Sequence, residues 1–217
     1  MLLDLEQSQL VLIDYQFKLM PAIFEQELIL ANAIRLATAA KLFHMPIWAT
    51  EQNPAKLGPN PVQISSAATQ TLSKMYFSGV AEGLGEWLRP PAKPQPPQRG
   101  GGFRQGGNSR SMPKHLQNRP QQSQQSEQDP EDRSMIVIAG CEAHVCLLQT
   151  ALELLEEDFE VWVVTDACSS RTERNRDAAF DRLASVGAEL VTTEMVIFEW
   201  LRTAEHDAFK NVLPLIK

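Results

Sequence analysis

The chain has 217 residues, a formal net charge of −7 and a pI of about 5.2. This balance argues against a nucleic-acid backbone or an anionic membrane as the main partner, and no apolar run approaches the roughly 18 residues of a membrane span. Three cysteines do not suggest a disulfide framework, and Asp4 and Glu6 stand where a signal peptide would carry lysines. We therefore expect a cytoplasmic protein.

Short apolar runs alternate with helical patterns along most of the chain. The apolar runs predict strands at residues 9–14, 46–51, 135–140, 160–166 and 188–194. The helical patterns predict helices at residues 27–43, 79–89, 144–158, 172–187, 195–202 and 204–215. Apolar strands separated by helices predict a three-layer α/β fold, in which a doubly wound, mainly parallel sheet carries helices on both faces.

One segment, residues 91–132, differs from the rest in composition. Half of its 42 residues are Pro, Gly or Gln, and only Phe103, Met112 and Leu116 are large and apolar. Such a segment buries too little surface to offset the entropy lost on ordering it. We predict a single domain over residues 1–217 with a disordered insertion at 91–132. Its one "RGGGFR" motif is a weak sign of RNA binding, so a solvated linker is favoured.

The places to search for a site are the carboxyl ends of the strands, because open parallel sheets bind ligands there. One of these ends, "GCEAHVCLLQT" (residues 140–150), holds two of the three cysteines. A zinc site of Cys141, His144 and Cys146 would lack the usual CxxC spacing. Cys141 directly follows a buried strand, which is typical of a cysteine that only packs.

Cys146 differs from Cys141 because it lies off the apolar stripe of its predicted helix and in the first turn. There the unpaired N–H groups and the helix dipole favour a thiolate and can hold a developing oxyanion. Cys146 is therefore a candidate nucleophile, with packing as the alternative.

A nucleophilic thiol needs a base, and Asp14 ends the first predicted strand after four apolar residues. A capping or turn role is the alternative. A thiolate and a carboxylate repel each other, so a cation is expected between them. Lys74 is the candidate because it lies among Leu72, Met75, Tyr76 and Phe77, although a surface role is the alternative.

Three motifs in this order, "LIDYQ", "SKMYFSG" and "IAGCEAHVC", resemble the isochorismatase-like cysteine hydrolases. "TEQNP" with "LGP" and "EAHVC" is similar to the domain-containing proteins of that family whose substrate is unassigned. The resemblance runs from Leu10 to about Leu215, outside the insertion. It implies a catalytic triad, a cis peptide at Cys141–Glu142, and an oxyanion hole made by the N–H groups of Glu142 or Ala143 and of Cys146. The implied triad is Asp14, Lys74 and Cys146.

The resemblance also implies a reaction: hydrolysis of an amide or related C–N acyl bond of a small molecule through a thioacyl-enzyme. It implies a homo-oligomer, a dimer or higher, and no cofactor. The "TEQNPAKLGPNP" region lacks the histidines with which nicotinamidase-like members hold a metal, so no metal is expected. The alternatives are vinyl ether hydrolysis, which Cys146 disfavours, and a non-catalytic interaction protein on the same fold. The candidate substrate-binding residues are Gln16, Phe17, Trp48, Tyr76 and His144.

Overall fold

The computed structural model describes residues 1–89 and 133–216, so the predicted insertion at 91–132 lies outside the described residues. Its strands are β1 Ser8–Ile13, β2 Ile47–Gln52, β3 Gln70–Lys74, β4 Met135–Gly140, β5 Glu160–Val164 and β6 Glu189–Val191. Its longer helices are α1 Gln26–Leu42, α5 Leu148–Glu156, α6 Glu173–Ser185 and α7 Thr193–Leu201. Its short helices are α2 Pro54–Leu57, α3 Val62–Ser65, α4 Leu84–Leu88 and α8 Phe209–Val212.

Shorter helical turns connect several of these elements. Four are 3₁₀ turns, at Met20–Ala22, Val80–Glu82, Thr165–Ala167 and Leu213–Leu215. A π-helical turn, Ala143–Leu147, leads from β4 into α5. Because π turns are rare and often mark functional sites, this one draws attention to the residues after β4.

All the strands are parallel and form one sheet in the order β3-β2-β1-β4-β5-β6. The chain runs outward from β1 to β3 and then returns to β4 on the other side of β1. The strand order therefore reverses between β1 and β4, where Ile13 pairs with Gly140. A Cβ atom on Gly140 would lie 2.3 Å from the carbonyl oxygen of Ile13, so this close approach needs glycine. Ligands bind outside the carboxyl ends of strands at such a reversal.

The central strands are buried because the sheet is covered on both faces. Every residue of β1 and β4 is buried, as their continuous apolar runs predict. Helix α1 packs with α3, α7 and α8, whereas α5 packs with α6. The predicted three-layer α/β fold with a doubly wound parallel sheet is confirmed. In the part of the chain that the structure describes, no helix has the length and apolar character needed to cross a membrane.

Several elements differ from the sequence prediction. The predicted helix at 79–89 is a 3₁₀ turn followed by α4, and the predicted helix at 204–215 is reduced to α8 and a 3₁₀ turn. Strand β3 is not among the predicted strands because its residues "QTLSK" are mostly polar, and all but Lys74 are at least partly exposed at the sheet edge. The predicted helix at 144–158 begins instead as the π-helical turn, and only Leu148–Glu156 is α-helical.

The two described ends that flank the insertion lie side by side. The side-chain amide of Gln9 donates one hydrogen bond of 2.8 Å to the carbonyl oxygen of Leu88 and another of 2.8 Å to that of Arg133. The two oxygens are therefore less than twice that distance apart. Gln9 lies at the amino-terminal end of β1, whereas Asp14 follows its carboxyl end, about 16 Å further along the strand.

We predict that residues 91–132 can be replaced by a six-residue Gly/Ser linker without loss of the fold. Closing a shorter loop costs less entropy, and about three halvings of loop length favour the folded state by roughly 2 kcal/mol. The shortened protein should melt cooperatively at or slightly above the temperature of the parent, as measured by circular dichroism. A variant with residues 91–132 scrambled is the matched control and should melt like the parent. An insoluble or much less stable deletion protein would show that the segment packs on the domain.

Candidate active site

Three side chains from the carboxyl ends of three different strands meet at the reversal in strand order. Asp14 follows β1 directly, Lys74 is the last residue of β3, and Cys146 lies in the π-helical turn after β4. The Lys74 ammonium lies 2.7 Å from Asp14 Oδ2, and both side chains are fully buried. The Cys146 thiol lies close enough to both side chains for each of them to shift its pKa. The structure thus brings the three predicted triad residues together.

The second oxygen of Asp14 is also occupied. Thr50, near the end of β2, donates its hydroxyl to Asp14 Oδ1 at 2.6 Å. The backbone of Asp14 is in the left-handed region with φ 51°, which aspartate tolerates better than most residues. A carboxylate that accepts a hydroxyl and an ammonium is held in one orientation, with its remaining lone pairs available to the thiol.

Lys74 is surrounded by acceptors. Besides Asp14, its ammonium donates to Gln52 Oε1 at 2.7 Å and to the carbonyl oxygen of Phe77 at 3.0 Å. Thr50 and Gln52 are functional candidates that sequence reasoning missed. They alternate at the carboxyl end of β2, and Gln52 pairs with Lys74 across the two strands. A polar pair two residues apart at a strand end is the signal that could have found them.

Cys146 does not have the thiolate character that a helix start predicts. The thiol is only 6 % exposed, and this burial, followed by the Asp14 carboxylate, raises its pKa to about 12, against the opposing influence of Lys74. Because the turn is π-helical, Cys146 is not in the first turn of α5. The resting residue is therefore a neutral thiol beside a carboxylate, and attack requires transfer of its proton.

The loop between β4 and Cys146 contains a cis peptide at Cys141–Glu142, where the resemblance implies one. Its backbone N–H groups are only partly available. Ala143 donates to the carbonyl oxygen of Ser169 at 2.8 Å, and Val145 donates to that of Glu142 at 3.0 Å. Ala143 is therefore not an oxyanion donor in this arrangement, which leaves the N–H groups of Glu142 and Cys146 as the candidates.

The other two cysteines pack in the interior. Cys141 and Cys168 are fully buried, and burial raises the pKa of each thiol well above its ordinary value. Cys168 accepts a hydrogen bond from the N–H of Gly140 at 3.4 Å. Both therefore fit the packing role that the sequence favours for Cys141.

Polar residues line the β5 side of the site. The ring of His144 lies 2.9 Å from Ser170 Oγ through Nδ1, so its orientation is held by the loop after β5. The Glu142 carboxylate pairs with the guanidinium of Arg171 at 2.8 Å. His144 is two residues from Cys146 and half-buried, which keeps it at the edge of the site.

The remaining predicted substrate-binding residues divide into three cases. Phe17 is 74 % exposed on the loop after β1, and Tyr76 is 67 % exposed on the loop whose carbonyl groups cap Lys74. Gln16 is fully buried and bonds through its side chain to the backbone of Gln52, so it supports the site rather than facing a substrate. Trp48 lies away from the site, near the amino-terminal end of β2. Its indole N–H donates to Gln9 Oε1, and its ring packs on Trp87.

Met75, Tyr76 and Phe77 form an exposed apolar rim on the loop after β3. The rim, defined as Met75, Tyr76 and Phe77, is tied to the site through its backbone. Gln52 Nε2 donates to the carbonyl oxygen of Met75 at 2.8 Å, and Lys74 donates to that of Phe77. Apolar side chains of this size exposed beside a buried polar cluster indicate a surface for binding.

Comparisons with known proteins identify the family. The model of the isochorismatase domain matches residues 124–195. Isochorismatase domain-containing protein 2A of Mus musculus is 32% identical over 212 residues, which cover 98% of this chain and 84% of the mouse protein. Isochorismatase domain-containing protein 2 of Danio rerio is 30% identical over 214 residues, which cover 99% of this chain and 89% of the fish protein.

Solved structures show the same fold. The MAR1 ribonuclease of Caenorhabditis elegans superposes with a TM-score of 0.77 at 26% identity, covering 100% of this chain and 92% of that one. The ycaC gene product of Escherichia coli, described as an octameric hydrolase of unknown specificity, superposes with a TM-score of 0.74 at 21% identity. That match covers 99% of this chain and 89% of the bacterial one. From its near full-length similarity to curated relatives, we conclude that the chain belongs to the isochorismatase family and has its hydrolase-type fold.

Proposed function

We propose that this protein is a cysteine-dependent hydrolase that cleaves an amide or related C–N acyl bond of a small molecule. The observation that carries the proposal is the buried Asp14–Lys74 ion pair, which lies close enough to the Cys146 thiol to shift its pKa. Burying two charges costs desolvation energy, and here the pair adjoins the least buried of the three thiols. The pKa of Cys146 is perturbed, and groups with perturbed pKa values cluster at catalytic sites.

The first step begins from a neutral thiol. Asp14 accepts the proton of Cys146 while Sγ attacks the carbonyl carbon, because a thiol whose pKa is about 12 is not ionised beforehand at neutral pH. The carbonyl oxygen becomes an oxyanion, which the N–H groups of Glu142 and Cys146 would stabilise. The Lys74 ammonium donates to four protein acceptors, so it acts as a fixed positive charge and not as a proton carrier.

The second step releases the amine and then the acid. The protonated Asp14 donates to the leaving nitrogen as the C–N bond breaks, which forms a thioacyl-enzyme. A water molecule then loses a proton to Asp14 and attacks the thioester carbonyl. The thiolate of Cys146 leaves and recovers a proton from Asp14, which restores the resting site.

The type of substrate, the assembly and the location of the protein are each proposed from a separate observation. The apolar rim supports an uncharged part on a small substrate. The Escherichia coli protein is described as an octamer, and we propose that this chain also forms a homo-oligomer. Three free, buried cysteines fit a reducing cytoplasm. The ribonuclease activity named for the Caenorhabditis elegans protein is less suited to a chain of net charge −7.

The test is a substrate screen with three proteins: the parent, Cys146→Ala and Cys168→Ala. Small amides, ureides, vinyl ethers and RNA are offered, and products are followed by mass spectrometry. Turnover of a C–N substrate should fall about a thousandfold or more in Cys146→Ala. Cys168→Ala is the matched control, because it removes a thiol that lies outside the triad, and it should keep its activity.

Three outcomes would contradict the proposal. Turnover that survives in Cys146→Ala would assign the chemistry to another residue. Turnover of only vinyl ethers or RNA would replace the C–N reaction. A protein that turns over none of the four classes, and whose Cys146 is no more reactive than Cys168, would favour the non-catalytic interaction protein.

A further inference from the structure

We infer that Gln52 is a positioning residue that sets the reactivity of Cys146 by holding the Lys74 ammonium with a neutral acceptor. The inference rests on the proposed function, because it assigns a role in the same site. Gln52 does not touch the reacting atoms directly; it acts through Lys74, to which it pairs across β2 and β3.

The ammonium of Lys74 has three protons and accepts nothing, so a buried lysine needs three acceptors. Asp14 Oδ2, Gln52 Oε1 and the carbonyl oxygen of Phe77 supply them at 2.7, 2.7 and 3.0 Å, and the carbonyl oxygen of Tyr76 lies farther away, at 3.5 Å. The lysine side chain is fully buried. Removing the Gln52 oxygen would therefore leave one proton of a buried charge with only the distant Tyr76 carbonyl as a partner, or let the ammonium move away from Asp14.

The amide of Gln52 is itself fixed in one orientation. Its Nε2 donates to the carbonyl oxygen of Met75 at 2.8 Å, so its oxygen must face Lys74. The backbone of Gln52 is clamped by Gln16, whose Oε1 accepts from the Gln52 N–H at 2.7 Å and whose Nε2 donates to the Gln52 carbonyl oxygen at 3.0 Å. Gln16 therefore keeps Gln52 in place, which explains why Gln16 is buried.

Neutrality is the property that a glutamine supplies and a glutamate would not. With one carboxylate and one ammonium, the pair is balanced, and the lysine charge lowers the pKa of Cys146 against the effect of Asp14. A second carboxylate bonded to Lys74 would offset the lowering effect of the lysine charge on the pKa of Cys146. A hydrogen-bond acceptor without charge holds the lysine and leaves its field available to the thiolate that forms during attack.

The test follows the pH dependence of Cys146 alkylation by iodoacetamide, read by mass spectrometry, because it needs no knowledge of the substrate. Gln52→Glu adds a charge at the lysine, and Gln52→Asn keeps the amide but shortens its reach. Gln70→Glu is the matched control, since it adds the same charge at the exposed start of β3, four residues from Lys74. Melting curves are recorded for each variant.

Labelling rates are compared between pH 7 and 9, below the range in which the fold is expected to fail, and their ratio gives the shift of the pH midpoint. Gln52→Glu should slow labelling at least about tenfold, which corresponds to a rise of about one unit in that midpoint. Gln52→Asn should also slow labelling, and Gln70→Glu should match the parent. A merely structural role would lower the melting temperature without moving the midpoint.

Parent-like midpoints in both Gln52 variants would overturn the inference. If Gln52→Glu does not fold, Gln52→Asn decides: an unchanged midpoint overturns the inference and a raised midpoint supports it. The result is separable from the proposed function. Hydrolysis that survives in Cys146→Ala would remove the proposed reaction, whereas the Gln52 effect on alkylation would stand or fall by itself.

Discussion

Replacing Lys74 with methionine should lower the free energy of unfolding by about 3–5 kcal/mol at pH 7, because it leaves the Asp14 carboxylate buried and unpaired. The same substitution in a cleft open to water would have a milder effect, because solvent would screen the remaining charge. The structure places both side chains at 0 % exposure. The variant should also alkylate at Cys146 more slowly, because Lys74 is the neighbour that lowers the pKa of that thiol.

Urea titrations of four proteins measure this effect. Lys56→Met is the matched control, because Lys56 is exposed on α2, and it should cost little. The double variant Asp14→Asn with Lys74→Met removes both charges and should recover part of the loss. Equal stabilities of Lys74→Met and Lys56→Met would contradict a buried, tightly paired Lys74.

Alkaline pH should unfold the protein through its buried thiols and Tyr15. Burial is the main cause that raises the pKa of Cys141, Cys146, Cys168 and Tyr15. A raised folded-state pKa means that the native state keeps protons that the unfolded chain loses, so the resulting stability is complete below the unfolded pKa and falls as the pH rises. The three thiols together should lower the free energy of unfolding by about 4 kcal/mol per pH unit between pH 10 and 11.

The measurement is a series of urea titrations from pH 8 to 11 with a reductant present. Tyr15→Phe removes one of the four groups, so its stability should fall less steeply above pH 10. Tyr76→Phe is the control, because Tyr76 is exposed and its removal should leave the slope unchanged. A stability that stays flat across this range would show that water reaches the thiols in the folded protein.

Sequence patterns predict the main features of this fold because they depend on local rules. Apolar runs and helical periods place β1, β2, β4, β5 and β6, and the positions after β1 and β4 follow from where parallel sheets bind ligands. Strand β3 escapes these rules because it is a polar edge strand. Lys74 was nevertheless a candidate, since the need for a cation between a carboxylate and a thiol does not depend on secondary structure.

The positions of Trp48 and Gln52 and the protonation of Cys146 depend on distances in the folded protein, which a single sequence does not give. Trp48 and Thr50 share a face of β2. Thr50 lies at the carboxyl end of the strand and bonds to Asp14, whereas Trp48, two residues earlier, lies near the amino-terminal end and bonds to Gln9. Gln52 becomes informative only when strand register places it opposite Lys74. The protonation of Cys146 depends on how deeply the thiol is buried. Burial raises its pKa by more than the start of a helix would lower it.

Leu88 and Arg133 lie close together, so a second domain could be inserted into the chain between them. Because both carbonyl oxygens bond to one side-chain amide, a guest domain whose termini are close together could be spliced there without pulling the sheet apart. The splice would lie about a strand length from Asp14, so a fluorescent reporter or an affinity tag carried at this point would leave the entrance to the site clear. The same separation means that new sequence can accumulate at this point in related chains without affecting the chemistry at the other end of the sheet.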